Sequence, residues 1–496
     1  ALCAPSALAT WSILIIDEAT GEIALAQATC IVGPNLQNKL AVVIPGTGAA
    51  CVQAWWDNAG TRRMLIWEDF QAGFSPEEIV AHLNALGSPH LFQYGIVAAG
   101  WDPATYTGSA AGGWAGGITG SAGDLRWAIQ GNVLAGSGVV EAAERAIRGT
   151  EGALPEKLVA AMHAAAVMGG DGRCSCSASN PDSCGTPPPG FDLSTGKSAH
   201  VGFMIVARLG DGVGMCDGPH GCANGDYYMN FNIFPGQSGL PDPVVEMEGQ
   251  YTPWRASLIG KPDHLRSTTL VTPSEIAGNG ASVAELSIRL ADWRGDFLTQ
   301  GGAQLRVEHA AQSAALSTIG TPVDHGDGHY TVELTAGAEA GLDTFEVWVG
   351  DGSDEILLAP LPRLQQGPAL LAEPTELSVT SGGSVYFELL GPPSALPRSY
   401  FLLGSLSGTE PGRAFGSIVL PLNPDRFFAY TRANANGPVL HHTEGTLAAD
   451  GRANARLDAP PSFFAASFLG SELAFAYLMT DAFDFASNPV HVLLVP

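Results

Sequence analysis

Positive charge is scarce in this chain. Its 496 residues hold 23 Lys and Arg against 49 Asp and Glu, a formal net charge of -26. Nucleic acids and anionic membrane surfaces are recognised through basic patches, so neither is an expected partner. Long apolar runs are also missing. No stretch reaches the roughly 18 apolar residues that a membrane-spanning helix needs. Familiar catalytic signatures are absent as well. There is no Gly-x-Ser-x-Gly elbow, no His-Glu-x-x-His, no P-loop and no complete Gly-x-Gly-x-x-Gly fingerprint. No cofactor and no metal is expected. An acidic, Lys-poor chain rich in Gly and Pro fits a soluble extracellular protein, and the first residue, Ala rather than Met, fits removal of a leader.

Cysteine is missing from the second half. The eight cysteines are Cys3, Cys30, Cys51, Cys174, Cys176, Cys184, Cys216 and Cys222. An even, clustered set reads as four disulfides in one domain of an oxidising compartment. A zinc centre drawing on Cys174, Cys176, Cys184, Cys216 and Cys222 is the weaker alternative, because no Cys-x-x-Cys pair is present.

What is there centres on Thr10, where the small-residue stretch ALCAPSALA meets the apolar TWSILIID. A threonine freed at its amine carries a nucleophile and its own base in one residue, the minimal equipment of an N-terminal nucleophile (Ntn) enzyme. Ala7-Leu8-Ala9 is an acceptable A-x-A cleavage site that exposes Thr10. That cut discards Cys3 and leaves an odd number of cysteines. Retention of residues 1–9, with Cys3 paired, is therefore the expectation.

Length suggests about three domains of roughly 150 residues. Residues 11–17 with 22–31, and 40–45 with 49–55, read as strand pairs. Residues 61–72 follow a helical period. A second helix starts at Ser75-Pro76-Glu77-Glu78, with Ser as N-cap, Pro at the first position and acids in the first turn. Strands are expected at 92–99, 105–110, 125–130, 200–209 and 227–234, and helices at 137–148 and 155–168. This order suits two packed sheets with helices outside rather than a doubly wound parallel sheet.

Thr10-Trp-Ser-Ile-Leu-Ile-Ile-Asp, Thr20-Gly-Glu-Ile-Ala-Leu-Ala and Gly48-Ala-Ala-Cys-Val-Gln-Ala resemble a bacterial family of uncharacterised Ntn-hydrolase-superfamily proteins, whose members open with a TFSIVARD-like strand. Phe74-Ser-Pro-Glu-Glu-Ile, Tyr106-Thr-Gly, Gln130-Gly-Asn-Val-Leu-Ala-Gly and Gly169-Gly-Asp extend the likeness over about residues 10–235. The resemblance implies a four-layer αββα sandwich over residues 1–250. It also implies amide hydrolysis, with Thr10 as nucleophile, Asn132 as oxyanion donor, Asp171 orienting the amine, and Gln53 as a further polar site residue. Each has a structural reading beside it: Asn132 in a tight turn after Gly131, Gln53 at a sheet edge, Asp171 capping a loop. Val52 stands where the family often has Thr. The Cys174–Lys197 segment lengthens a connection that is usually short. Lys39 matches no family motif and reads as a surface lysine.

Residues 251–267 read as a linker. Short alternating strands follow over 268–366, a β-sandwich pattern. There Ala291-Asp-Trp-Arg-Gly-Asp, Gly326-Asp-Gly-His-Tyr and Ala340-Gly-Leu-Asp-Thr-Phe-Glu-Val resemble invasin-type bacterial Ig-like domains, which are mostly spacers and adhesion stalks. Residues 367–496 read as another all-β sandwich. The fold class is thus α+β, an Ntn-hydrolase-like sandwich followed by two Ig-like ones. Asp324/Asp327 and Asp351/Asp354 read as solvated turns rather than calcium ligands. Phe463, Phe464, Phe468, Phe475, Phe483 and Phe485 read as core.

Two functions compete. One is a secreted Thr10-dependent amidohydrolase. The other, which we favour, is a secreted bacterial structural or surface protein that keeps the fold without the chemistry. It self-associates as a homo-oligomer or polymer through residues 1–9 and sandwich edges.

Overall fold

The computed structural model describes residues 10–236, 239, 241–311, 313–337, 339–350, 355–391, 398–415, 418–449, 451–481 and 485–496. The chain divides into two compact units, Ala1–Ile259 and Gly260–Pro496.

The first unit runs β1 (Thr10–Asp17), β2 (Ile23–Thr29), α1 (Leu36–Leu40), β3 (Ala41–Ile44), β4 (Gly48–Gln53), α2 (Thr61–Gln71), α3 (Pro76–Ala85), β5 (Gln93–Ala98), β6 (Ala104–Thr107), β7 (Trp114–Ala122), β8 (Leu125–Leu134), α4 (Gly138–Gly149), α5 (Leu154–Val167), α6 (Gly172–Ser175), β9 (Val201–Ala207), β10 (Met229–Ile233) and α7 (Pro243–Ser257). One antiparallel sheet has the order β10-β9-β2-β1-β8-β7 and the other β3-β4-β5-β6.

Strand alternation sorts the core. On β1, Trp11, Ile13 and Ile15 join Val139, Leu158, Met162 and Val244 of the helices α4, α5 and α7. Leu14 and Ile16 point the other way, against Val43, Ala49 and Val97 of the four-stranded sheet. That sheet's outer face, Val42, Val52 and Ile96, packs on Ile66 and Phe70 of α2 and Ile79 and Leu83 of α3. The strands β1, β2, β3, β4, β5 and β9 are buried on both faces, which is why most of them read as near-continuous apolar runs. The Ser75 N-cap forms a full capping box with Glu78, as its spacing predicts.

The stretch expected to be a linker is in its first part a helix, α7. Pro253 lies inside it, and Trp254 anchors it through ring contacts with Tyr228 and Phe231. The four-disulfide expectation is also corrected. Cys30–Cys174, Cys176–Cys184 and Cys216–Cys222 are bonded, and Cys51 is a buried free thiol. Cys3, with the rest of residues 1–9, lies outside the described residues.

In the second unit, strands Thr268–Thr272, Val283–Arg289 and His329–Thr335 face a sheet of Glu275–Ala277, Arg363–Gly367, Gly341–Gly350 and Gln304–His309. Leu286, Ile288, Val332 and Leu334 meet Phe345, Val347 and Leu364 between them. A further pair of sheets encloses Val385, Phe387, Leu457, Phe475 and Tyr477. The all-β expectation for residues 367–496 is corrected by a helix at Arg426–Ala433. Asp425 caps it and Phe427 and Phe428 seat it. Of the clustered phenylalanines, Phe464, Phe475 and Phe485 are core and Phe468 is exposed; Phe483 lies outside the described residues. Asp327 pairs with Arg289, Asp324 accepts the Gly302 and Gly326 amides, and Asp351 and Asp354 lie outside the described residues.

Candidate functional site

The register of β1 places Thr10 opposite Asn132 and Ser12 opposite Gln130 on β8. On the other side Ser12 lies opposite Gln27 of β2. By strand parity Thr10 and Ser12 share the face of Leu14 and Ile16, toward the second sheet. Gln53 and Gln93, paired across β4 and β5, look back from that sheet. The layer between the sheets is therefore apolar at one end and polar at the Thr10 end.

This polar end is sealed. Thr10 is 1% exposed, and Ser12, Gln27, Gln53, Gln93, Gln130, Asn132 and Asp171 are 0% exposed. The Gln53 amide donates to the Thr10 carbonyl at 3.0 Å and to Gln93 Oε1 at 2.7 Å. The Ser12 hydroxyl donates to Gln53 Oε1, and Gln27 donates to Ser12 at 2.9 Å. Gln93 donates onward to the Gly131 carbonyl at 3.0 Å. Gln130 Nε2 faces the Cys51 sulfur. Burial pushes the Cys51 thiol up to about 11, so it is protonated and unreactive at neutral pH.

The other two predicted residues are held unequally: Asn132 by one hydrogen bond, its buried Oδ1 having no partner among the described residues, and Asp171 by several. Asn132 Nδ2 donates to the Ala111 carbonyl at 2.8 Å. Asp171 caps α6. Its Oδ2 accepts the Cys30 amide at 2.7 Å and Arg173 at 2.7 Å, and its Oδ1 accepts the Arg173 amide at 3.0 Å and Nε at 3.1 Å. The Thr29 hydroxyl, at the end of β2, is 3.5 Å from Asp171 Oδ2. Gln53 thus touches Thr10 directly, Asn132 is its register partner, and Asp171 binds the neighbouring strand. Lys39 lies half-buried on α1.

Two backbone positions beside this cluster are strained. Ala54, after Gln53, has φ 69°, and Val133, after Asn132, has φ 56°. The left-handed region is costly for any residue with a Cβ and more so for a β-branched one. Val133 sits where the β7–β8 register shifts between Trp114 and Ala115, the extra residue of a bulge.

Sequence reasoning missed Ser12, Gln27, Gln93 and Gln130. Their signal was present: each is a polar residue in a largely apolar strand. Ser12, Gln27 and Gln130 further share one register row.

Comparison with known proteins bears on both units. The model of a family of unknown function, DUF1028, matches residues 10–179, beginning at Thr10. The model described as invasin, domain 3, matches residues 263–357. These are the two families that the sequence resembles. Among solved structures, a DUF1028 protein from Silicibacter pomeroyi, SPO2555, is 18% identical, with 49% of this chain and 88% of that one covered and a TM-score of 0.35. The Yersinia pseudotuberculosis adhesin InvE is 17% identical, with 46% and 58% covered and a TM-score of 0.18. The Escherichia coli adhesin FdeC is 10% identical, with 82% and 92% covered and a TM-score of 0.21. The chain thus spans little more than half the length of InvE. No curated protein matches.

Proposed function

We propose that this chain is a bacterial surface protein in which an Ntn-hydrolase-like domain is joined to invasin-type Ig-like domains and serves as a structural unit without hydrolytic activity. The two family-model matches support the pairing of domains. The helix, sheet, sheet, helix packing of the first unit supports the αββα reading. Three disulfides fit an extracellular location.

The observation that carries the non-catalytic reading is the engagement of Asp171. Both its oxygens bind Arg173, and one also binds the Cys30 amide. A carboxylate so held is a loop anchor rather than a partner for the Thr10 amine. Both amide hydrogens of Gln53 are likewise engaged, and Asn132, the expected oxyanion donor, gives its amide to the Ala111 carbonyl at 2.8 Å. Self-association through residues 1–9 and sandwich edges completes this reading. A chain beginning at Thr10 is then expected to stay monomeric by light scattering where the full chain assembles.

The second reading is a Thr10-dependent amidohydrolase. The polar end of the inter-sheet layer, with Thr10 on that face, favours it. An alkynyl β-lactone, which acylates N-terminal threonine hydroxyls, separates the two. We expect no adduct by intact mass on the full chain or on one beginning at Thr10. A stoichiometric adduct on the latter, absent from its Thr10→Ala variant, overturns the structural reading.

A further inference from the structure

We propose that Asn224 is a site of spontaneous deamidation, in which the Gly225 backbone nitrogen attacks the Asn224 side chain and water is the co-reactant, and that the fold confines this reaction to one of the three Asn-Gly pairs in the chain. The pairs are Asn224-Gly225, Asn279-Gly280 and Asn436-Gly437. Glycine has no Cβ to shield its nitrogen, so each pair is open to this chemistry in an unfolded chain. In the folded chain they differ in what holds the glycine nitrogen and the carboxamide.

Two of the pairs are pinned. The Gly280 amide donates to the Gly337 carbonyl at 2.8 Å, and the Gly437 amide to the Asn434 carbonyl at 3.1 Å. The Asn279 carboxamide donates to the Ser282 hydroxyl at 2.7 Å and accepts the Ala281 and Ser282 amides at 2.8 and 2.7 Å. The Asn436 carboxamide donates to the Glu444 carbonyl at 2.7 Å and accepts the Glu444 amide at 3.2 Å. Closing a ring at either position breaks these bonds first. The Gly225 amide makes no backbone hydrogen bond among the described residues. Its polar neighbour, the buried Tyr227 hydroxyl, is not in hydrogen-bonding geometry.

The Asn224 carboxamide is set for the reaction. The Met215 amide donates to its Oδ1 at 2.8 Å, so the oxygen that gains negative charge as the ring closes already faces a backbone donor. Nδ2, the leaving nitrogen, is held by one long bond of 3.4 Å to the His220 carbonyl. A Cβ built at Gly214 would lie 2.3 Å from Asn224 Oδ1 and 2.7 Å from the Gly225 nitrogen, so both atoms crowd the open side of one glycine. Met215 is 61% exposed and Asn224 is half-buried, so water reaches the loop. The Gly225 nitrogen bonds to Asn224 Cγ, the Cγ–Nδ2 bond breaks, and Nδ2 leaves as ammonia with the proton from the Gly225 nitrogen. Water then opens the succinimide, at Cγ to give aspartate or at the main-chain carbonyl carbon to give an isoaspartyl linkage. Either product adds a carboxylate two residues before Asp226.

The test incubates the full chain in heavy-oxygen water at mildly alkaline pH, folded and, in parallel, unfolded in urea with its disulfides reduced. Peptides are then mapped by mass spectrometry. In the folded chain the Asn224 peptide is expected to exchange its amide nitrogen for one heavy oxygen at least about tenfold faster than the Asn279 and Asn436 peptides, which must first give up backbone hydrogen bonds. In the unfolded chain all three are expected to convert at similar rates. Asn224→Gln is expected to abolish conversion at that position, because the longer side chain closes only a larger ring. Conversion of Asn279 or Asn436 in the folded chain as fast as that of Asn224 overturns the proposal. So does an Asn224 that stays intact in the folded chain while it converts in the unfolded one.

Discussion

The Gln130 side chain occupies the space that a side chain at Gly95 would need. A Cβ built at Gly95 would lie 2.1 Å from Gln130 Oε1 and 2.3 Å from its Cδ. Gln130 belongs to the six-stranded sheet and Gly95 to the four-stranded one, so the contact is part of how the two sheets mesh. Gly95→Ala is therefore expected to destabilise the first unit by about 1–3 kcal/mol, the usual cost of overpacking a tight core. Urea unfolding measures it. The double variant Gly95→Ala/Gln130→Ala is expected to lose less than the sum of the two single changes, because each removes part of the other's conflict.

Ala54 offers the opposite case. Its φ of 69° lies in the left-handed region, directly after Gln53. Glycine adopts that conformation freely, and relief of the strain outweighs the added entropy of the unfolded chain. Ala54→Gly is expected to leave stability unchanged or raise it by up to about 1 kcal/mol. Ala50→Gly, four residues earlier in the extended strand β4, is expected to lower it. Thermal unfolding of the two variants side by side is the comparison that decides.

What could be read in advance follows from which forces act locally. The short apolar runs in TWSILIID and IALAQAT announce strands, and Ser75 with Glu78 announces a helix start. The strand β7 escaped because Gly116, Gly117 and Gly120 look like a loop. They are glycines because Trp114, Gln130 and Trp127 fill the space beside them, a fact of tertiary packing. Helix α7 escaped because Pro253 argues against it, and the aromatic contacts of Trp254 override that argument. At the site, the likeness of TWSILIID to a family opening singled out Thr10, and Gln53 does contact it. Arg173, two residues from Asp171, was visible but its pairing was not, since a two-residue offset says nothing about which way a side chain turns. Cysteine parity failed at Cys51 because a buried thiol in a strand counts the same as a bonded one.

Asp211 gives the first unit a pH dependence. Its Oδ2 accepts the Arg208 and Tyr228 amides at 2.8 Å each, and burial pushes its carboxyl up to about 6 from an ordinary 3.8. Between these two values the native state keeps a proton that the unfolded chain has lost. Unfolding then releases protons, so this contribution to stability is full below the lower value and is lost as pH rises through the upper one. Asp211→Asn keeps the acceptor oxygen and cannot ionise. It is expected to be more stable than the wild type at pH 7, by about 1–2 kcal/mol after allowance for partial solvent contact, and to match it near pH 4. Denaturation midpoints at the two pH values test this; a difference that does not change with pH contradicts it.

Asp171 and Arg173 separate a structural anchor from a catalytic group. The Asp171 carboxylate is 0% exposed at its side chain, and Arg173 beside it is 18% exposed. Removing one member of such a pair leaves the other desolvated without its counter-charge, and the Cys30 amide loses its acceptor as well. Asp171→Ala is expected to cost about 3–5 kcal/mol in unfolding free energy. Arg173→Ala is expected to cost less, because its side chain retains some water and Asp171 keeps the Cys30 and Arg173 backbone amides. The double variant should then be little worse than Asp171→Ala alone, giving a coupling energy of about 1–3 kcal/mol. Catalytic carboxylates behave the other way. They are held in place against the interests of stability, and their removal commonly stabilises the fold. If Asp171→Ala unfolds at higher denaturant than the wild type, the carboxylate is not an anchor, and the hydrolytic reading of Thr10 becomes the better one.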